Sequence, residues 1–238
     1  MSLERTEGDV RFYSVWHDSF EMRRFPWASS ILNRPEPDTS FCPICHRAPP
    51  VRFKDVDIQL DIRRGDQWPD VLGCGAAPLF IVSHRAIAVW QSKSIGTFPH
   101  HHVRLIPPLP LALANSEAPE YVWLDGSRML GARLDFEASG FVANSFCATC
   151  GLRKDDAAAT YERQHSKVWA YTFLPGSWTG AKLFTTDLSH ATFFCTEELI
   201  VSAREHALTN LRFVPVDYGA GVSHHSVDYL GRTSLRQR

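Results

Sequence analysis

Val56 to Ile62 alternates strictly. Val56, Ile58, Leu60 and Ile62 are apolar, with Asp57, Gln59 and Asp61 between them. Successive side chains of a strand point to opposite faces, so this segment predicts a strand with one buried face. The mixed aromatic run from Val10 to Trp16 predicts another. Pro35, Pro37, Pro43, Pro49 and Pro50 keep residues 35–50 out of regular structure. Leu79-Phe80-Ile81-Val82 predicts a short buried strand. Ser83 caps a helix to about Gln91, Gly96 ends that element, and Val103-Arg104-Leu105-Ile106 predicts a strand stopped by Pro107-Pro108.

The same order returns later. Thr192-Phe193-Phe194-Cys195 predicts a buried strand, with Cys195 in the core. Thr196 is an N-cap, and Glu197 and Glu198 stand in the first turn, where the helix dipole favours them. Leu199, Ile200, Ala203 and Ala207 form an apolar stripe, and Leu211-Arg212-Phe213-Val214 predicts a strand stopped by Pro215. Ser83 answers Thr196 at an offset of 113 residues and Pro107 answers Pro215 at 108. A CxxC precedes each copy. The expected fold is therefore α+β (mixed α/β), with two related strand–helix–strand units joined by a shared four-cysteine zinc site; chance similarity of two ordinary units is the alternative. The expected organisation is 1–116 with the first hook and unit, 117–216 with the second, and a loose tail at 217–238.

Composition narrows the function classes. The chain has 238 residues, with 25 Lys and Arg against 26 Asp and Glu, so it lacks the basic excess of a dedicated nucleic-acid binder. The longest largely apolar run, Leu105 to Ala114, holds three prolines and is too short for a membrane helix. Met1-Ser2-Leu3-Glu4-Arg5 has no signal-peptide character, which makes the cytoplasm the expected compartment. There, six cysteines point to metal or redox chemistry before disulfides.

Cys42-Pro43-Ile44-Cys45 and Cys147-Ala148-Thr149-Cys150 are the strongest chemical signal. A CxxC turn sets two thiolates on one side of a tight loop, and two such hooks supply the tetrahedral sulfur shell that Zn²⁺ prefers. Cys42, Cys45, Cys147 and Cys150 are thus the expected ligands of a closed, structural zinc. The 101 residues between the hooks would make it a clamp between distant parts of the chain. Two unmetallated loops or a disulfide are the alternatives. Cys42 to His46 also matches a haem-attachment pattern, which needs export. A thioredoxin-type reading needs a helix that Pro49-Pro50 forbids.

Other candidates are weaker. At most two of His100, His101 and His102 share a face of an extended segment, and they read as surface histidines. His84, His190 and His206 are isolated. Cys74, in Gly73-Cys74-Gly75, reads as a packed cysteine, with a reactive thiol as the alternative. Asp55, Asp57, Asp61, Asp66 and Asp70 read as the solvated face of a strand, or as a negative surface that meets a basic partner. The chain has no Gly-x-Ser-x-Gly, HExxH, P-loop or GxGxxG.

The two hooks, Asp187-Leu188, the segment Phe193 to Leu199 and the segment Ala207 to Pro215 together resemble the double-CxxCG-motif proteins, several of which are described as immunity proteins of bacterial polymorphic toxin systems. His46 and Asn210 stand where that family has glycine. The resemblance implies a non-catalytic cytoplasmic protein with structural zinc whose partner is a cognate toxin. Trp68, Asp66 and Asp70 are the candidate contacts. The competing classes are a zinc-stabilised regulator or nucleic-acid binder, and an enzyme built around Cys74 and scattered histidines.

Overall fold

Strands dominate the computed structural model, which describes residues 10–18, 23–33, 54–75, 79–149, 153–155, 171–216 and 228–230. The first strand is β1 (Phe12–His17). Six more follow: β2 (Trp27–Ile31), β3 (Val56–Leu60), β4 (Val71–Cys74), β5 (Ile81–Ser83), β6 (His100–Ile106) and β7 (Tyr121–Leu124). These six close into a barrel in the order β2-β3-β6-β7-β5-β4. Alternation explains the closure. Leu72, Ile81, Tyr121 and Trp123 point inward with Val56, Ile58 and Leu60, while Val71, Val82, Val122 and Leu124 point outward into a second core. Strands that are apolar on both faces must be covered on both faces.

A six-stranded sheet supplies that cover, in the order β14-β13-β1-β12-β11-β8. Besides β1 it contains β8 (Leu130–Ala132), β11 (Leu183–Thr186), β12 (Ser189–Thr196), β13 (Leu211–Pro215) and β14 (Asp228–Leu230). Phe193 and Cys195 face the barrel, and Phe193 stacks on Phe80 at 4.8 Å between ring centroids. Phe194, one residue along, faces the other way. It joins Phe184, Phe12, Phe173 and Trp178 in a separate aromatic layer. Gly126 seats the turn after β7 against β12. A Cβ there would lie 1.9 Å from the carbonyl oxygen of His190, so no larger residue fits.

Two nine-residue helices complete the shared core: α1 (His84–Ser92) and α2 (Glu197–Glu205). The Ser83 hydroxyl accepts from the Ala86 N–H, and Ala86, Ile87 and Trp90 form the buried stripe of α1. α2 buries Leu199, Ile200 and Ala203, but its Thr196 side chain makes no capping bond. Both helices end alike. Ser94 and Ala207 adopt left-handed φ of 55° and 48°. The next residues, Ile95 and Leu208, donate back to Trp90 and Ala203 at 2.9 Å. Lys93 and Glu205 link the helices at 2.8 Å.

The strand–helix–strand segments occupy the expected residues, yet the expected α+β fold of two such units is overturned. Strands predominate among the described residues, which form a closed six-stranded barrel and include two short helices. The physical reason is partner choice. β5 and β6 are separated by β7 within the barrel, and β12 and β13 are separated by β1 within the open sheet. Each helix covers a patch, and strand faces bury the rest. Within 217–238, Asp228–Leu230 pairs with β13 as an edge strand.

One buried carboxylate joins barrel to sheet. Asp70, 4% exposed, accepts from the Ser83 hydroxyl (3.0 Å), the Arg85 guanidinium (2.6 Å) and the Thr209 N–H (2.9 Å). Beside it the Asn210 amide donates to the Val71 carbonyl at 2.6 Å. Removing an acceptor that serves several buried donors leaves each of them unpaired. Asp70→Ala is expected to lower unfolding stability by about 3 kcal/mol or more, measured by urea denaturation; a loss under about 1 kcal/mol would contradict this role.

Candidate functional site

The second hook grows from a hairpin. β9 (Ala143–Phe146) pairs with β10 (Arg153–Asp155), and Phe146 faces Arg153. Residues 147–152 connect them, so Cys147 follows the last paired residue of β9 and Cys150 falls in the same connection. Cys147 is 7% exposed. Cys42, Cys45 and Cys150 lie outside the described residues, as does the proline-rich segment 35–50. A thiolate held at the end of a paired strand is a pre-positioned soft donor, and four thiolates are a donor set suited to Zn²⁺.

The other cysteines are spent in packing. Cys74 lies on β4 in the barrel core, and Cys195 lies on β12 with no exposure. Burial pushes the Cys195 thiol well up, and the Glu198 carboxylate adds to the shift, which removes thiolate character.

The histidine run alternates along β6. His100 and His102 are exposed, while His101 turns in and stacks on Trp123 at 4.8 Å. The Nε2 of His101 stands 3.6 Å from Asp125. His84 lies elsewhere in sequence, yet its ring is 6.4 Å from that of His100.

The acidic run is largely compensated. Asp57 pairs with Arg104 across β3 and β6, and Asp61 pairs with Arg64 at 3.1 Å. Asp55 accepts the His102 N–H at 3.1 Å. Asp70 is interior, so it is removed from the candidate contacts, while Trp68 donates to the Ser116 hydroxyl at 2.9 Å. Sequence reasoning missed the Asp70 junction because its partners lie 13, 15 and 139 residues away.

A cleft of about 250 Å³ opens between the end of α1 and the outer face of α2, lined by Lys93, Lys182, Glu197, Glu205, Val201 and Ser202. Its lining holds neither a cysteine nor a histidine. Its charges include the Lys93–Glu205 bridge, which holds the Glu205 carboxyl below its ordinary range.

No family model matches the chain, and no curated protein matches it.

Two half-buried histidines couple stability to pH. Burial lowers the pKa of His17, which meets Trp27 edge-on at 4.8 Å, and of His190; Asp18 and Asp125 respectively oppose the shift. The folded chain therefore binds fewer protons than the unfolded chain just below the ordinary histidine value of about 6.5. Stability is full above that value and falls as pH drops through it. Urea midpoints at pH 7 and pH 5 should show this loss, and His17→Phe, which keeps an edge-on ring, should shrink it. An equal loss in His17→Phe would exclude His17 as a source.

Proposed function

We propose that the chain is a non-catalytic immunity protein that binds and neutralises a cognate bacterial toxin, with a structural zinc held by Cys42, Cys45, Cys147 and Cys150. The observation that carries the reading is the second hook at the end of the β9–β10 hairpin, with a buried Cys147. A buried cysteine at the end of a paired strand is a donor whose position the fold has already set. Of the groups named for the enzymatic alternative, Cys74 and His101 serve internal contacts. Cys74 and Cys195 pack in cores, His101 lies on Trp123, and Asp70 ties Thr209 to Ser83.

Zinc in this reading is structural: four thiolates fill its shell and leave no position for substrate. Its contribution is to tie the segment 35–50 to the β9–β10 hairpin. Chelation then removes folding free energy along with the metal.

Neutralisation by binding needs a face with few anchors and a steering rim. Trp68, half-buried against the barrel core, is the aromatic anchor retained from the sequence, and Asp66 is its acidic neighbour.

Metal analysis of the purified chain should give about one zinc per chain. Cys147→Ser should lose it, and a strong chelator should lower the Tm. A metal-free protein of unchanged stability would overturn the zinc assignment. Co-expression with a toxin encoded beside this gene should protect cells, and the two proteins should co-purify. Protection without a complex, together with chemical alteration of the toxin or its target by the purified chain, would replace this reading with an enzymatic one.

A further inference from the structure

His84 and His100 are brought together from the start of a helix and the start of a strand. His84 follows the N-cap Ser83, and its N–H donates to the Glu120 carbonyl at 3.0 Å. Its Nδ1 stands 3.1 Å from a carboxylate oxygen of the same Glu120. His100 opens β6, and its Nδ1 lies 2.7 Å from the Phe98 carbonyl oxygen. Phe98 is 6% exposed and meets Trp90 edge-on at 5.8 Å, so that carbonyl is anchored. A carbonyl and a carboxylate can only accept. Each Nδ1 must therefore carry a proton, and in the neutral ring each Nε2 keeps a lone pair. This is the arrangement in which metal-ligating histidines are held, with the outer ring N–H donated to a carboxylate or a backbone carbonyl.

We infer that His84 and His100 form a two-histidine site for a divalent transition-metal ion of the Zn²⁺, Ni²⁺ or Cu²⁺ class. The ring centroids are 6.4 Å apart at an interplanar angle of 68°. An ion at ~2.1 Å from both Nε2 atoms requires centroids roughly 5–6 Å apart, so the rings must approach by about 1 Å. Both residues are exposed, His84 to 46% at its side chain, which leaves an open path from solvent. The Glu120 carboxylate stands at the positive end of α1 and orients the His84 ring. Among the described residues no group of three His, Cys, Asp or Glu gathers for a metal, so water fills the other positions. Imidazole donors distinguish this site from the thiolate hooks. The bound ion ties the start of α1 to the start of β6 across the 93–99 loop.

The test is calorimetric titration of Ni²⁺ into the full chain purified with its own metal. Wild type should show a site that weakens by about tenfold or more in His84→Ala and equally in His100→Ala. His102→Ala should stay within about twofold of wild type, since that residue has no part in the pair. Glu120→Gln should weaken binding by a smaller factor. Wild-type affinity in His84→Ala overturns the site and assigns the ion to the run at 100–102. Because a substitution beside the N-cap can unsettle α1, the wild-type protein supplies a second readout. Substoichiometric Ni²⁺ should broaden the imidazole resonances of His84 and His100 together in NMR spectra; broadening of His100 alone overturns the pairing.

Discussion

The carboxylate of Asp70 is the contact on which the joint between barrel and sheet depends. It immediately precedes β4, and it reaches the cap of α1 through Ser83 and the turn before β13 through Thr209. A buried carboxylate is costly unless its lone pairs are occupied, and here a hydroxyl, a guanidinium and a backbone N–H occupy them. Arg85 also donates to the His206 carbonyl at 2.6 Å, so one cation serves both the carboxylate and the C-terminal end of α2. Phe80 stacks on Phe193 between the same two layers. The apolar core gives adhesion; the polar joint gives register.

Each layer has one strand inserted between the two strands of a helical crossover. β1, from the start of the chain, lies between β12 and β13, and β7 lies between β5 and β6. Each helical crossover thus spans one inserted antiparallel strand. The helices pack against each other in the shared core, so both crossovers place their helix on the face where barrel meets sheet. That geometry brings Lys93 of one crossover to Glu205 of the other.

Local elements were legible in the sequence; their partners were not. The Ser83 cap, the alternation at Val56, Ile58 and Leu60, and the proline stops are decided by residues within one turn or one strand, so the pattern carries them. Alternation states that a strand has an inside but not which inside. Val15 and Phe12 of β1 enter different cores, and nothing near them in sequence announces β12 or β13. The expected fold class fails because two visible helices outweigh strands such as β4, β7 and β11, whose short, fully buried runs show no period. Of the candidate site, the hooks were legible as a motif. Asp70 looked like one more exposed acid, because burial comes from Thr209 and Asn210, far along the chain. The His84–His100 pair was hidden for the same reason.

The order of strands along the chain also sets an order of synthesis. β2 to β7 form one contiguous stretch, 27–124, so every barrel strand has left the ribosome while β11 to β14 are still unmade. β1 emerges earlier still, and both its neighbours, β12 and β13, come late, at 189–215. During most of translation β1, with Phe12 and Val15 on opposite faces, has no ladder to join and is tethered to a barrel that is already free to close. Such an unpaired edge invites the wrong strand, from the same chain or another. The nascent protein therefore depends on whatever shields β1 in that interval, and a slower passage through residues 125–188 lengthens its exposure.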